Sequence, residues 1–289
     1  MNAMLGLSPD FAYDVVPFFI GQGGKSRYET GSHIDVDGMA LTTGLAWRGQ
    51  TTYGFPILAA FFEAGWGNFK TSLDSSHEDA SGKGDLSYYG AGLLGHMDFN
   101  PLGPGSFYAE GSVRTGYSYG DFHTRNIRDG FGRTADFESS APYYGLHVGL
   151  GYRLKFNELL GMELYSKYFW THLAADEVNI LGDPFEFDAL DSQRWRNGLR
   201  LSFYIPTQNY MLEPFVGVAY EHEFAGTASG SVHGYTMEEP SIKGGSGIGE
   251  IGLSLYPTDH AGLSLDVAVS GYTGRREGVS GDIRLKWEF

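Results

Sequence analysis

Apolar and polar residues alternate along much of this chain, and the alternation is clearest at the C-terminus. Over residues 281–289, every second position is apolar or glycine and every position between them is charged. A period of two places successive side chains on opposite faces of a β-strand. The segment is therefore predicted to be a strand with one apolar face and one charged face.

The same alternation recurs upstream, for example over residues 146–156, 196–205 and 263–270. Such segments exceed the roughly five or six residues of a typical soluble strand, and they reach the about 9–11 residues that a tilted strand needs to cross a bilayer. The polar face is rich in Gly and Ser, as a crowded, curved interior requires. These features favour a membrane barrel over the alternative, a soluble β-sandwich.

Twelve strand-like segments are predicted, over residues 13–22, 37–48, 54–67, 85–99, 106–120, 143–156, 160–171, 193–205, 210–223, 246–256, 261–272 and 278–289. The gaps at 49–53, 100–105, 157–159, 206–209 and 257–260 are short. The gaps at 23–36, 68–84, 121–142, 172–192 and 224–245 are long and polar, and only the gap at 273–277 breaks the contrast.

One-sided loop lengths are typical of bacterial outer-membrane barrels, which have short periplasmic turns, longer extracellular loops and an even number of strands. The sequence therefore predicts an all-β fold, a 12-stranded antiparallel transmembrane β-barrel. With an even strand number, both termini lie at the end with the short turns. We expect them in the periplasm.

A membrane barrel must close on itself, because lipid cannot satisfy the backbone groups of an open edge. Its apolar positions then face lipid and its charged positions face the lumen. We expect the lumen-facing set to be Glu63, Glu110, Arg114, Arg153, Glu163, Lys167, Arg194, Arg196, Arg200, Glu213, Glu221, Glu250, Asp266, Asp282, Arg284 and Lys286. Both signs occur in similar numbers, which indicates a hydrated, internally paired lumen. A pore selective for one sign of charge would be more one-sided.

Amino-acid composition excludes several classes of protein. The chain has 289 residues, of which 43 are Gly, 15% are aromatic and none is Cys. A disulfide scaffold and a Cys-based zinc site are excluded, and the aromatic content excludes a disordered chain. The 20 basic residues against 35 acidic ones give a net charge of −15, opposite to what nucleic-acid binding requires.

The start of the chain has no basic segment followed by an apolar one, so no signal peptide is expected there. The chain is then either cytosolic, or a mature piece or excised domain.

Several short segments resemble the C-terminal translocator domain of autotransporters, the type V secretion family. They are residues 88–94 (YYGAGLL), 107–117 (FYAEGSVRTGY), 144–152 (YGLHVGLGY), 194–200 (RWRNGLR), 213–220 (EPFVGVAY) and 283–289 (IRLKWEF). The resemblance covers residues 11–289, nearly the whole chain. In that family the barrel anchors a longer polypeptide whose N-terminal passenger crosses the outer membrane.

The resemblance implies that residues 1–10 are the end of a linker that runs through the lumen from an absent passenger. It also implies partners: outer-membrane lipid and lipopolysaccharide, the chain's own passenger and linker, and the barrel-assembly machinery, with the barrel a monomer. The terminal residues Ile283, Leu285, Trp287 and Phe289 resemble the assembly signal of such barrels. The Asn-Asn junction of self-cleaving members is absent, so no self-cleavage is expected.

The sequence gives little support for a catalytic site. His96 and Asp98 share a face but lie near a short turn, away from any outside substrate. Alternation points His222 away from Glu221 and Glu223, so these three cannot converge on a regular strand. The chain is expected to have no catalytic residue, metal or other cofactor. A porin-like channel is the alternative function, and an outer-membrane barrel hydrolase is a more remote one.

Overall fold

The computed structural model describes residues 14–30, 32–73, 80–124, 131–237, 239–258 and 262–288. Twelve long strands form the barrel: β1 (Asp14–Glu29), β2 (His33–Arg48), β3 (Gly54–Leu73), β4 (Ala80–Phe99), β5 (Gly105–Thr124), β6 (Phe137–Lys155), β7 (Leu160–Leu173), β8 (Leu190–Phe203), β9 (Tyr210–Glu223), β10 (Gly244–Pro257), β11 (Gly262–Gly274) and β12 (Arg276–Glu288). Over these ranges, no helix is long and apolar enough to cross a membrane.

Every strand pairs antiparallel with its neighbours in the chain, and the last strand returns to the first. β1 pairs with β12 from Phe18 opposite Lys286 to Tyr28 opposite Arg276. This seam closes the sheet into a ring and provides the backbone hydrogen bonds that an open edge would lack in lipid. The predicted 12-stranded antiparallel barrel is confirmed.

The predicted strand ends are accurate at the short turns and too short at the opposite end. Residues 23–36 and 68–84 were expected to be loops, but β1 and β2 are joined by residues 30–32 alone, and β3 continues to Leu73. The hairpins continue beyond the predicted membrane segments, where water bathes both faces and apolar alternation is not required. The asymmetry between the two ends thus lies in strand length as well as in loop length.

Two of the predicted long loops fold into a small sheet of their own. Its strands are Asp176–Ile180, Asp183–Phe187, Gly230–Val232 and Tyr235–Thr236. Leu181 (φ 58°) and His233 (φ 51°) occupy the hairpin tips, each followed by a glycine with positive φ. The tips are joined by His233 Nε2 and Asp183 Oδ1, 2.9 Å apart. Residues 172–192 and 224–245, predicted as irregular, are therefore partly ordered by pairing with each other.

The distribution of polarity is the reverse of that in a soluble protein. Large apolar side chains on the outer face are exposed, such as Phe62 at 71% and Leu150 at 65%. Carboxylates on the inner face are buried, such as Glu110 at 7% and Asp266 at 4%. A surface of this kind is stable only where lipid replaces water around it.

The glycines have a packing role that composition alone did not explain. Aromatic rings of one strand lie flat against a glycine of the next on the inner face. A Cβ added at Gly151 would lie 2.3 Å from the ring of Tyr108, and one at Gly252 would lie 2.3 Å from the ring of Phe215. The absence of a side chain at these positions lets bulky rings fit inside a tightly curved wall.

Candidate functional site in the barrel lumen

The charged residues predicted to face the lumen all lie at inward positions of their strands, where they alternate with outward apolar side chains. They are Glu63 on β3, Glu110 and Arg114 on β5, Arg153 on β6, Glu163 and Lys167 on β7, Arg194, Arg196 and Arg200 on β8, Glu213 and Glu221 on β9, Glu250 on β10, Asp266 on β11, and Asp282, Arg284 and Lys286 on β12. Most are paired with one another in three groups along the wall.

The first group joins β3, β5, β6 and β7. Arg114 Nη1 lies 3.2 Å from Glu63 Oε2, and Arg114 Nη2 donates to Thr171 Oγ1 at 3.3 Å. Tyr143 donates its hydroxyl hydrogen to Glu63 Oε1 at 2.7 Å. Both oxygens of this buried carboxylate are therefore occupied, one by a cation and one by a phenol.

The second group surrounds Glu110, whose side chain is only 2% exposed. His147 Nε2 lies 3.2 Å and Lys167 Nζ 3.3 Å from Glu110 Oε1. His96 Nδ1 lies 3.9 Å from the other oxygen of Glu110 and carries Asp98 on its opposite side, with 3.1 Å between Nε2 and Oδ1. A single carboxylate thus faces three basic side chains.

Arg153 and Arg200 connect the second group to the third. Arg153 donates to Asp98 at 2.7 Å, and it lies 3.9 Å from Glu163. Arg200 lies 3.9 Å from the other oxygen of Glu163 and donates to Glu250 at 2.7 Å. Glu163 therefore bridges two arginines on β6 and β8, and the contacts run from Asp98 to Glu250.

The rest of the third group follows β8 to β12. Arg196 donates to Glu221 at 2.7 Å, and Arg194 lies 4.0 Å from the same carboxylate. Ser254 donates to Asp266. Arg284 Nη2 lies 2.9 Å from Asp282 Oδ1. Lys286 is 2% exposed, and Glu213 is half-buried on β9.

An apolar section of the inner wall is the feature that sequence reasoning missed, because the inner face was expected to be polar or small throughout. Buried apolar side chains from β1 to β4 form one cluster: Phe18, Ile20, Ala46, Ile57, Ala59, Phe61 and Leu94. The signal in the sequence was the uninterrupted apolar run over residues 57–62. A strand that is apolar at consecutive positions is apolar on both faces.

A cavity occupies the mouth at the end away from the short turns. It measures about 380 Å³, and its lining includes Val36 on β2, Arg194 on β8 and Ile242 from the segment after β9. β2 and β8 lie on opposite sides of the ring. The segment that carries Ile242 therefore reaches inward over the mouth and narrows it.

The residues considered for catalysis are distributed as alternation predicted. Glu221 and Glu223 are buried on the inner face, whereas His222 lies outside, 3.2 Å from the Tyr220 hydroxyl. His96 is held between Asp98 and Glu110 and stacks on Tyr108. Within the described ranges no group of three or more His, Asp or Glu side chains is arranged to hold a metal ion. The geometry is that of a charged, internally paired wall.

Comparison with known proteins identifies this architecture. A family model described as "Autotransporter beta-domain" matches residues 19–268. No curated protein sequence matches the chain.

Three solved structures of autotransporter barrels resemble it in fold. The transport unit of AIDA-I from Escherichia coli is 13% identical with a TM-score of 0.71, over 95% of this chain and 90% of that one. The β-domain of the Bordetella autotransporter BrkA is 15% identical with a TM-score of 0.68, over 95% and 99%. The translocator domain of NalP from Neisseria meningitidis is 13% identical with a TM-score of 0.66, over 98% and 91%.

Proposed function

The chain belongs to the autotransporter β-domain family, and we propose that it anchors a longer polypeptide in the outer membrane and supports export of an N-terminal passenger to the cell surface. The observation that carries this proposal is the family match over most of a barrel that closes within one chain. Because closure needs no second chain, the working unit is a monomer. Catalysis, where the whole protein has any, belongs to the passenger.

The two ends of the barrel support an orientation in the membrane. β1 begins and β12 ends at the same end as the connections at 49–53, 100–104, 156–159 and 204–209, which are short. Bacterial outer-membrane barrels place short turns in the periplasm. Both termini are therefore periplasmic, and the long hairpins with their small added sheet are extracellular.

This orientation dictates the path of the preceding segment. A passenger outside the cell is connected to β1 at the periplasmic end, so the linker has to pass through the lumen. Residues 1–10, which we assign to the end of that linker, lie outside the described residues. The apolar wall of β1–β4 includes Phe18 and Ile20, only a few residues along the chain from the linker. This wall supports a linker that contributes apolar side chains, and the balanced charges elsewhere favour passage of a polypeptide over attraction of one ion type.

The last strand is proposed to be recognised by the barrel-assembly machinery. Ile283 and Trp287 are 40% and 57% exposed on the outer face, where another protein can reach them before lipid does. Leu285 lies between them on the same face, and Phe289 lies outside the described residues. β12 also forms the seam with β1, so its docking and the closure of the barrel involve the same strand.

Surface display tests the function directly. The chain is expressed in a Gram-negative host behind a signal peptide, a folded reporter and a helical linker joined to Met1. We expect protease added to intact cells to remove the reporter and to leave the barrel in the membrane. A reporter retained in the periplasm, together with steady ion conductance of the purified barrel in planar bilayers, would instead support the porin-like alternative.

Topology is tested with a short epitope inserted in two matched glycine turns. Gly234 occupies a hairpin tip of the small sheet and Gly103 occupies a short turn, and a Cβ at either would meet nothing within 4 Å. We expect antibody to label intact cells with the insertion after Gly234 and to label the Gly103 insertion only after the outer membrane is opened. The opposite pattern would reverse the orientation.

A further inference from the structure

The extracellular ends of β2 to β6 have the opposite polarity to the part of the barrel that spans the membrane. Phe69 lies three residues beyond Trp66, an exposed aromatic residue of the kind that marks the membrane interface. Three residues span about 10 Å along a strand, so the wall at the level of Phe69 lies in water. Outward side chains at this level are charged, such as Asp35 and Lys70, which are directly opposite each other. The inward side chains are apolar, as in the core of a soluble protein.

These inward apolar side chains form a row that crosses the strands in the direction of their hydrogen bonds. Val36 on β2 is directly opposite Phe69 on β3, and Phe122 on β5 is directly opposite Phe137 on β6. β4 runs between Phe69 and Phe122 and carries glycine at this point. A Cβ at Gly84 would lie 2.5 Å from the Phe69 ring. The rings of Phe69 and Phe122 therefore stack across β4, with their centroids 6.4 Å apart.

The row continues from β6 onto the small extracellular sheet. The ring centroid of Phe137 lies 5.3 Å from that of Phe122 and 5.6 Å from that of Phe187, which belongs to the small sheet. At the other end of the row, Ile34 lines the mouth beside Val36. We call these inward side chains the apolar collar: Ile34, Val36, Phe69, Phe122, Phe137 and Phe187. The collar follows about half of the ring, from β2 to the segment that leads into β8.

The rest of the mouth is narrowed by residues 239–243, which we call the strap. Ile242 of the strap and Val36 of the collar line the same cavity of about 380 Å³, together with Arg194 from the opposite side of the ring. One turn of an α-helix, about 10 Å wide and about 5.4 Å long, occupies about 420 Å³. The cavity is smaller than this single turn. A polypeptide can therefore leave the pore here only if the strap moves.

The strap is tied to residues 226–228 and ends at a glycine. The hydroxyl oxygens of Ser241 and Thr227 lie 3.0 Å apart, and Ile242 donates its backbone hydrogen to the carbonyl oxygen of Gly226 at 3.0 Å. Gly244, with φ of 136°, connects the strap to β10 in a conformation that residues with a side chain rarely adopt. Rotation at Gly244 can move the strap while β10 keeps its pairing with β9.

We infer that the extracellular mouth is a hydrophobic gate, in which Ile242 and the apolar collar close the pore and the strap moves aside when a polypeptide passes. A narrow apolar passage stops ions and small polar solutes because it expels water. A polypeptide opens the gate because its own apolar side chains contact the collar in place of Ile242. The inference rests on the proposed export function and orientation. It adds a means by which an exporting barrel keeps the outer membrane sealed.

Closure is tested on the whole chain, refolded and inserted into planar bilayers. Ile242→Ser removes the apolar side chain of the strap, and Phe122→Ser removes one ring of the collar. We expect each variant to raise the mean ion conductance several-fold over the parent chain. Because Ile242 lies in a connection between strands, its variant is expected to fold. The matched control is Tyr235→Ser, whose side chain on the small sheet is 77% exposed, and it is expected to conduct like the parent.

Movement of the strap is tested with a disulfide, which is specific because the chain has no cysteine. Thr227 and Ser241 are opposite each other in an antiparallel bridge, so Thr227→Cys with Ser241→Cys is expected to form a bond that fixes the strap. We expect oxidant to block surface display of the fused reporter and reductant to restore it. The control pair is Asp35→Cys with Lys70→Cys, opposed on the outer face, and it is expected to display the reporter under both conditions.

Equal conductance of the parent and the Ile242→Ser variant would overturn the gate. Normal display with the strap fixed by the disulfide would also overturn it, because the polypeptide would then pass without any movement of the strap. Failure of the parent chain to display the reporter would instead contradict the export function. The conductance measurement needs no passenger, so the two failures are distinguishable.

Discussion

Arg114 and Glu63 form an ion pair although their strands are not neighbours. Arg114 Nη1 on β5 lies 3.2 Å from Glu63 Oε2 on β3, and β4 runs between them. At this level the inner face of β4 carries Gly90 opposite Glu63 and Gly92 opposite Arg114. The Tyr143 hydroxyl lies over Gly90 and the Phe61 ring over Gly92. The pair therefore depends on three strands in one register.

Removing the cation of this pair is expected to destabilise the barrel. In Arg114→Met, Glu63 would keep the hydrogen bond from Tyr143 but lose its charged partner while its side chain stays 7% exposed. We expect a loss of about 1–3 kcal/mol in the free energy of unfolding, measured by urea titration in lipid vesicles. In a double-mutant cycle, adding Glu63→Gln is expected to recover part of the loss. Strictly additive losses would show that the two side chains are not coupled.

A lysine is expected to destabilise the barrel far more at an outward position than at the inward position next to it on the same strand. Val113 is 52% exposed on the outer face in the middle of β5, whereas Ser112 points inward. Val113→Lys is expected to cost about 2–4 kcal/mol, the penalty for a lysine near the middle of the bilayer. Ser112→Lys places its amine in the hydrated lumen and is expected to cost much less. Equal losses of folding yield and unfolding free energy in vesicles would contradict the assignment of faces.

Substitution by alanine is expected to destabilise the barrel at glycines that lie under aromatic rings, but not at glycines in open positions. A Cβ at Gly151 would lie 2.3 Å from the Tyr108 ring, whereas one at Gly271 would meet nothing within 4 Å. Gly151→Ala is expected to destabilise the barrel by about 1–3 kcal/mol through overpacking. Gly271→Ala is expected to be neutral or to stabilise by up to about 1 kcal/mol, since glycine weakens a strand. The unfolding temperatures of both variants are measured in the same detergent. A similar loss of stability in both would argue against the packing role of Gly151.

The seam between the first and last strands can be locked chemically. Phe19 on β1 is directly opposite Leu285 on β12. Opposed residues of an antiparallel pair lie about 4.5–5.5 Å apart, within the range of a disulfide. Because the chain has no cysteine, Phe19→Cys with Leu285→Cys is expected to form one bond on oxidation and to keep the barrel folded on heating.

The matched control for the seam pairs Phe19→Cys with Leu265→Cys on β11. Leu265 is opposite Leu285, so β12 separates it from β1. Two strand spacings are about 9–10 Å, beyond the reach of a disulfide. A shift in gel mobility on oxidation is expected for the seam pair alone. Cross-linking of the control pair, or failure of the seam pair, would place another strand beside β1.

Deleting Phe289 is expected to reduce assembly in cells far more than the stability of a folded barrel. Phe289 lies outside the described residues, and the preceding outward aromatic, Trp287, is 57% exposed. One aromatic residue at a rim contributes about a few kcal/mol at most to the free energy of unfolding. The twelve paired strands of the ring contribute far more. The amount of barrel at the cell surface is compared with thermal stability after refolding in detergent. Normal surface amounts with a weakened refolded barrel would make Phe289 a packing residue instead of an assembly signal.

The sequence by itself determined the number of strands, the face of the residues in its clearly alternating segments and the end that bears the termini. Its period-two pattern is a local property, because each side chain points opposite to its neighbours whatever the rest of the chain does. The inward position of Arg200 and the outward position of Val267 therefore required no knowledge of neighbouring strands. Strand ends were accurate at the short turns, where the pattern stops, and too short where the hairpins continue into water.

The tertiary structure alone decided which residues meet. Glu63 pairs with Arg114 and Arg200 with Glu250, across 51 and 50 residues of chain, only because the stagger between strands brings them to one level of the wall. The apolar wall around Phe18 and Phe61 depends in the same way on four strands placing their inward apolar residues at one height. Register is set by pairing between neighbouring strands, and closure is set by pairing between the first and last strands. An alternating pattern specifies neither, since a shift of two residues preserves every face.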